Sequence, residues 1–193
     1  MVYSAIAINS NYASKIEVSD KPNTLPAQIG NKTECGLLGF VDHLGGNYTT
    51  IRDANPTKDY VHVYTFNSSR KSMSVAIHHP TIPGAIRLFC KGASEMVLNK
   101  CKYIMRGDTI EDFTPANYNH INQTVIEPMA SEGLRTICVS YKDYIPAGNK
   151  IGKGDELLSD QLDWDQVLII FKKQWNHMIV GSEHKQKNFW MVN

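Results

Sequence analysis

Three short β-strands in close succession, near the middle of this chain of 193 residues, are the feature that most limits what it can fold into. Apolar or β-branched side chains alternate with polar or aromatic ones in three segments, 60–67, 72–79 and 85–90. A basic turn at Arg70 and Lys71 joins the first two segments, and a turn with two prolines joins the last two. Because strands joined by short turns pair antiparallel, the pattern predicts an antiparallel sheet rather than βαβ units.

Helical patterns lie on both sides of these strands. We expect helices over residues 2–17, from 31 to a Gly-Gly pair at 45–46, over 94–102 and over 114–131. Thr114 followed by Pro115 is typical of a helix start, and Pro128 predicts a kink or an early end. Further strands are expected over 109–113, 134–141 and 167–171, and loops over 18–30, 47–59 and 146–166. Helices around an antiparallel sheet indicate the α+β class.

Composition restricts the class of protein. With 42% hydrophobic and 20% charged residues, a chain of this length can bury a sizeable core as one domain with an appendage. A net charge of +1 provides no overall basic field, so we expect no nucleic-acid partner. No segment is apolar enough to span a bilayer, and the N-terminus is unlike a signal peptide. The four cysteines form no C-x-x-C pair, which favours reduced core thiols over a zinc site.

Common catalytic motifs are missing from the sequence. It contains neither the phosphate-binding G-x-x-x-x-G-K-[ST] loop nor the dinucleotide-binding G-x-G-x-x-G turn, and it has no G-x-S-x-G nucleophile elbow. His78 and His79 stand beside a proline in a turn, without a third metal ligand nearby in the sequence. Any ligand chemistry therefore has to come from isolated residues at the ends of strands and helices.

The ends of the three central strands carry residues suited to a nucleotide. Phe66 and Lys71 flank the first turn, and Lys91 and Gly92 follow the third apolar segment. An aromatic ring can stack on a base, ammonium groups can meet phosphates, and a glycine lets backbone approach a ligand. Each residue also has an ordinary interpretation. Phe66 could belong to the core of the sheet, Lys71 could be a solvated turn charge, and K-G-A is a short motif that recurs by chance.

Other charged residues are further candidates. Glu34 lies in the first turn of a helix, where it could be a surface residue favoured by the helix dipole or could accept a hydrogen bond from the amino group of adenine. Arg135 opens a predicted strand, where it could be an ordinary surface residue or could clamp a phosphate. Arg70 could instead be the partner of a nearby carboxylate. The residues alone leave these alternatives open.

The candidates fall within four motifs that follow one another as T-E-C-x-L-L, F-N-S-x-R-K-S-M-S, K-G-A-S-E and G-L-R. This order resembles the cytoplasmic nucleotide-binding domain of P-type ATPases over about residues 1–145, and segments 31–35 and 64–74 look most like plasma-membrane calcium pumps. Four motifs in a fixed order arise by chance far less often than any one of them. The resemblance implies an antiparallel sheet of six or seven strands flanked by helices.

The resemblance also implies a role for each residue. Phe66 would stack on adenine, and Glu34 would bond to the amino group of the base. Lys71 and Lys91 would contact the ring or the phosphates. Gly92 would allow close approach beneath the nucleotide.

For the parent pump, the resemblance implies that the domain holds ATP, with magnesium, so that the γ-phosphate can reach an aspartate on a separate phosphorylation domain. Arg135 would lie near the phosphates. The phosphorylation and actuator domains would be the partners, at the cytoplasmic face of the plasma membrane, and the chain would be a monomer. We assign residues 1–171 to the nucleotide-binding domain and leave 172–193 as a tail of unassigned fold.

The sequence departs from the family in three respects. The D-K-T-G-T motif of the phosphorylated aspartate, the hinge and magnesium-binding motifs and the membrane helices do not occur in this chain. Gly36 stands where a helix-favouring residue is usual, and residues 172–193 do not look like the continuation of the family. We therefore expect an excised domain or a truncated product that binds ATP without turning it over.

Two other functions are compatible with parts of the sequence. A non-catalytic interaction module could keep the fold and lose the nucleotide, with the basic tail as a partner-binding or membrane-surface segment. A self-sufficient kinase-like enzyme is disfavoured, because the sequence shows no metal-binding carboxylate pair and no catalytic base.

Overall fold

The computed structural model describes residues 1–17, 26–107 and 109–158, together with the backbone of one strand at Trp175–Val180. A small antiparallel sheet pairs β1 (Lys15–Glu17) with β2 (Ala27–Ile29). The strands of the larger sheet are β3 (His62–Asn67), β4 (Ser72–His78), β5 (Ile86–Ala93), β6 (Cys101–Arg106), β7 (Thr109–Asp112), β8 (Ile137–Ile145), β9 (Glu156–Leu157) and β10 (Trp175–Val180).

Short helices surround the larger sheet. They are α1 (Val2–Ile8), α2 (Lys32–His43), α3 (Tyr48–Asp53), α4 (Ser94–Leu98), α5 (Pro115–Ile121) and α6 (Glu127–Ser131). A 3-10 turn at Thr57–Asp59 precedes β3, and a π-helical turn at Asn122–Ile126 connects α5 to α6.

The larger sheet is mostly antiparallel. Among the described residues it has eight strands, in the order β3-β4-β5-β8-β10-β6-β7, with β9 alongside β8. The pairings of β10 with β6 and of β8 with β9 are parallel, and the others are antiparallel. The prediction of an antiparallel α+β fold is therefore confirmed, with two parallel pairings added.

Strand β5 is covered on both faces. Its neighbouring residues Leu88 and Phe89 are both fully buried, and they point to opposite faces because side chains alternate along a strand. Leu88 packs in a layer with residues of α4 and α5, and Phe89 packs in a layer with residues of α1, α2 and α3. The C-terminal end of β5 is thus held between two helical layers, and the candidate site lies at that end.

Several local predictions are confirmed. The three central strands and the short strand at β7 form close to the predicted positions. Asn31 caps α2 by accepting a hydrogen bond from the Glu34 amide, and Thr114 caps α5 in a capping box. The helix that follows Thr114 does run to Ser131, but through the π-helical turn that lies before Pro128.

The predicted helix over residues 2–17 and the predicted loop over 47–59 are both wrong. Helix α1 ends at Ile8, because the carbonyls of Ala7, Asn11 and Ser14 accept hydrogen bonds from the Arg52 guanidinium instead of continuing the helix. Residues 48–53 form α3, which Asn47 caps and which buries Arg52 against this segment. A buried arginine makes the segment polar in composition, so it was predicted as a loop.

Other boundaries also differ from prediction. Helix α4 ends at Leu98, because Cys101 and Ile104 turn into the core as part of β6. Strand β8 begins at Ile137 rather than 134 and continues to Ile145, and the predicted loops over 18–30 and 146–166 contain β2 and β9. The predicted strand over 167–171 lies outside the described residues. Of the tail 172–193, only the backbone of β10 is described, and it lies between β8 and β6.

Candidate functional site

A cleft of about 1000 Å³ opens at the C-terminal end of β5. Its walls come from the start of α2, the ends of β3, β4 and β5, the start of α4 and the chain between the π-helical turn and β8. A cavity of this size lies within the range of small-molecule and cofactor sites. All six candidate residues line it: Glu34, Phe66, Lys71, Lys91, Gly92 and Arg135.

Phe66 presents its ring to the cleft from β3. The residue is 64% exposed, so its interpretation as a core phenylalanine is wrong. The register of β3 against β4 shifts between Tyr64 and Asn67, and Phe66 falls within this irregularity of the ladder. A large apolar ring left exposed beside a cleft is suited to packing against a flat apolar ligand.

Lys71 occupies an unusual backbone conformation at the turn between β3 and β4. Its φ angle of 49° lies in the left-handed region, which a residue with a long side chain seldom adopts. The turn is stabilised by the Lys71 amide, which donates to the Asn67 carbonyl at 2.7 Å. The Asn67 side chain also accepts hydrogen bonds from the amides of Ser69 and Arg70. Arg70 donates to the Thr65 carbonyl at 2.9 Å, a backbone partner in place of the carboxylate considered from sequence.

Gly92 lets this turn come close to β5. A Cβ atom at Gly92 would lie 2.5 Å from the Lys71 carbonyl oxygen and 2.8 Å from the Cβ of Ser72. The same carbonyl oxygen accepts a hydrogen bond from the Ala93 amide at 3.0 Å. The position of Gly92 must therefore have no side chain, because any Cβ atom would prevent the contact between the two backbone segments. This contact fixes where the Lys71 side chain begins.

Glu34 and Lys91 form an ion pair on the inner wall. The Lys91 Nζ atom lies 2.8 Å from Oε1 of Glu34, and each residue is only 8% exposed. Lys91 also donates to the Ser10 hydroxyl at 2.9 Å, and Oε2 of Glu34 accepts from the Ser14 hydroxyl at 2.6 Å and the Asn11 amide at 3.1 Å. The interpretation of Glu34 as a surface glutamate is therefore wrong.

The surroundings of this pair shift both pKa values. Burial raises the pKa of the Glu34 carboxyl, but the Lys91 charge and the donors on Lys91, Ser14 and Asn11 outweigh burial and lower it below its ordinary value. Burial lowers the pKa of the Lys91 ammonium, and Glu34 opposes this effect. The 2.8 Å separation is that of a charge-assisted hydrogen bond between an ammonium and a carboxylate.

Arg135, Glu95 and Lys32 are the other charged residues that line the cleft. Arg135 lies two residues before β8 and lines the cleft. Glu95 lies in the first turn of α4, and its Oε1 atom is 4.0 Å from Lys71 Nζ. Within residues 1–17, 26–107 and 109–158, no group of three or more His, Cys, Asp or Glu side chains is placed to hold a metal ion. The cleft thus offers one aromatic ring and several cationic groups.

Residues 2–169 match the sequence profile of a family described as P-type ATPase, cytoplasmic domain N. The chain belongs to this family. The family resemblance inferred from the four motifs is thereby confirmed. The matched region ends before β10, so this strand lies beyond the family profile.

The relatives of this N domain include plasma membrane calcium-transporting ATPases. The human type 4 protein is 43% identical over 83% of the chain and 13% of its own length. The type 2 protein of Oreochromis mossambicus is 49% identical over 75% of the chain and 13% of its own length. The mca-1 protein of Caenorhabditis elegans is 43% identical over 83% of the chain and 13% of its own length. The chain thus spans about an eighth of the length of these relatives. No helix among the residues described in this N domain is long and apolar enough to cross a membrane.

Sequence reasoning missed two residues that line the N-domain cleft, Met73 and Glu95, and also Arg52, which is outside the cleft lining. Arg52 is buried, donates hydrogen bonds to three carbonyls of the segment 7–14, and its guanidinium carbon lies 4.5 Å from the ring centre of Tyr12. No motif marks it. Met73 lines the cleft as the cross-strand neighbour of Lys91, which the alternation of β4 and β5 could have indicated. Glu95 was within the K-G-A-S-E motif but was not assigned a role.

Proposed function

We propose that this N domain binds an adenine nucleotide in the cleft. The observation that carries the proposal is the convergence of six residues, drawn from four separate motifs, on one cavity of about 1000 Å³. An exposed aromatic ring and several cations on the walls are the complement of a purine with phosphates. No motif alone would support this conclusion.

Phe66 is the proposed platform for the base. Its ring is exposed at the mouth of the cleft, so stacking would cover apolar surface that the fold leaves open. Lys71 and Arg135 are the proposed phosphate contacts. Lys71 supplies a flexible point charge, and the guanidinium of Arg135 can meet two phosphate oxygens at once.

Glu34 is the proposed acceptor for the amino group of adenine. A carboxylate offers about four acceptor positions, and the donors from Lys91, Ser14 and Asn11 occupy three of them. One position on Oε1 is left for a ligand donor. Lys91 is held by Glu34 and Ser10, so it would contribute its stem and its nearby charge to the wall of the cleft rather than reach far toward the phosphates.

The relatives are calcium-transporting ATPases, and we infer that this chain serves the same reaction as one part of such a pump. The domain would hold ATP, with magnesium bound to the phosphates, so that the γ-phosphate reaches an aspartate on a separate phosphorylation domain at the cytoplasmic face of the plasma membrane. Phosphoryl transfer depends mainly on positioning and electrostatics, so a domain that only presents the nucleotide is physically sufficient for its part. The chain contains no D-K-T-G-T motif, so it should not turn over ATP by itself.

An NMR titration of the 193-residue chain with ATP tests the proposal. We expect the amide signals of cleft residues to shift together and to saturate, with the largest changes at Glu34, Phe66, Lys71, Lys91 and Arg135. Signals of β7, at the opposite edge of the sheet from β3, serve as the internal control, together with those of the β8–β9 pairing, which lies at the end of β8 away from the cleft residue Ile137. Absence of any shift at millimolar ATP would favour an interaction module that has the fold without the ligand.

A further inference from the structure

Of the two carboxylates among the described residues that line the cleft, Glu95 is the one whose ion pair is long and exposed. Its side chain is 49% exposed, and its contact with Lys71 spans 4.0 Å. The other cleft carboxylate, Glu34, is buried and neutralised by Lys91 at 2.8 Å. Glu95 therefore places a weakly paired negative charge beside Lys71, which is a proposed phosphate contact.

The position of Lys71 relative to Glu95 is fixed by the backbone. The Lys71 amide and carbonyl are both hydrogen-bonded, to Asn67 and to Ala93, and the turn packs directly on Gly92. Glu95 follows Ala93 by two residues, so the same contact that holds the turn holds the start of α4. The backbones of the two residues are thus held at one junction of the fold, so their flexible side chains begin close together.

We propose that Glu95 is a specificity-determining residue of the cleft, which competes with the phosphates of the nucleotide for the Lys71 ammonium and so weakens binding in proportion to the charge of the ligand. The proposal rests on the proposed function, because it concerns how the same cleft treats different nucleotides. Its physical basis is that a phosphate that approaches the Lys71 ammonium has to share it with the Glu95 carboxylate. The phosphate then lies beside a second anion.

The cost of this competition depends on ligand charge. Adenosine carries no phosphate and would contact the base platform alone, so Glu95 should not affect it. ADP and ATP bring successively more negative charge toward the carboxylate, so the penalty should rise along the series. Since both Lys71 and Glu95 are about half exposed, salt screens their interaction and the penalty should fall at high ionic strength.

The test compares the affinities of adenosine, ADP and ATP for the wild-type chain and for Glu95→Gln, measured without divalent cations. The substitution keeps the shape of the side chain and removes the charge. We expect Glu95→Gln to bind ATP about two- to five-fold more tightly, the range of exposed ion-pair energies, to bind ADP with a smaller gain, and to bind adenosine unchanged. The gain for ATP should largely disappear in 1 M salt.

Glu111→Gln is the matched control. Glu111 pairs with Arg106 at 3.3 Å, its side chain is 54% exposed, and it does not line the cleft. Equal or weaker ATP binding by Glu95→Gln, an equal gain for adenosine, or the same gain in Glu111→Gln would overturn the proposal while leaving the nucleotide site intact. Failure of the wild-type chain to bind any of the three ligands would overturn the proposed function as well. Matching urea unfolding curves for the two variants exclude a loss of fold as the cause.

Discussion

Lys91→Met should destabilise the fold by about 3 kcal/mol, because it leaves the Glu34 carboxylate buried without its counter-charge. Removing one partner of a buried ion pair costs about 3–5 kcal/mol in general. Here the lower end applies, since Glu34 keeps its hydrogen bonds from Ser14 and Asn11. The methionine side chain also replaces most of the apolar stem of the lysine, so no large cavity is added.

The loss should depend on pH in a defined direction. In the wild-type chain the pKa of Glu34 is lower in the folded state than in the unfolded state, so its contribution is present above the unfolded pKa and is lost as the pH falls through the folded pKa. Burial is already the largest single influence on this pKa, and without the Lys91 ammonium only the Ser14 and Asn11 donors oppose it, so we expect the folded pKa of Glu34 to rise in the variant. The variant can then take up a proton, so its deficit relative to wild type should shrink toward acidic pH.

Urea unfolding followed by circular dichroism at neutral and acidic pH measures both effects. Lys153→Met is the control, because Lys153 pairs with Asp112 at 2.9 Å with both side chains well exposed, and it should cost less than about 1 kcal/mol. The double variant Lys91→Met with Glu34→Gln should recover part of the loss. Equal stabilities of the Lys91→Met and Lys153→Met variants, or a deficit that grows in acid, would refute the reasoning.

Three other predictions each concern one substitution and the contacts that it would remove or disturb. Gly92→Ala should destabilise the fold and weaken ATP binding together, because its Cβ would overlap the Lys71 carbonyl oxygen at 2.5 Å, and urea unfolding with an ATP titration would show both losses. Arg52→Met should cost at least about 3 kcal/mol in thermal or urea unfolding, because three carbonyls of the segment 7–14 lose a charged donor. Asn31→Ala should cost about 1 kcal/mol through loss of the α2 cap, and an effect of zero would show that the cap is replaced by water.

The three central strands were predictable from sequence because the patterns that mark them are local. Alternation of side chains marks β3, β4 and β5, and turn residues mark their ends. The caps at Asn31 and Thr114 were predictable for the same reason, since a cap is a contact between residues three positions apart. These elements bring Phe66 and Lys71 to the end of β5.

Elements that depend on distant contacts were not predictable. Helix α3 forms around an arginine whose partners lie about forty residues earlier in the chain. Strand β6 begins three residues after α4 and pairs with β10, a strand about seventy residues later that no local pattern near β6 indicates. Tertiary contacts override local propensity in both cases.

The candidate site was predictable in its members but not in its internal contacts. Glu34, Lys91 and Arg135 were identified from motifs, yet no motif indicates that Glu34 and Lys91 neutralise each other or that Ser10 and Ser14 complete the network. The contact between Gly92 and the Lys71 turn was also unexpected, because it depends on how two strands pack. The sequence thus suggested a class of ligand, and the structure explained why Glu34, Lys91 and Gly92 occupy their positions.

The affinity of ATP for Phe66→Ala, compared with Val63→Ala, tests the central claim most directly. Both residues lie on β3 with exposed apolar side chains, 64% and 41%, but only Phe66 lines the cleft. Loss of stacking on a base costs about 1–3 kcal/mol, so Phe66→Ala should bind ATP roughly five- to 150-fold more weakly, while Val63→Ala binds as the wild type does. Wild-type affinity in Phe66→Ala, or an equal loss in both variants, would contradict the assignment of this cleft to an adenine nucleotide.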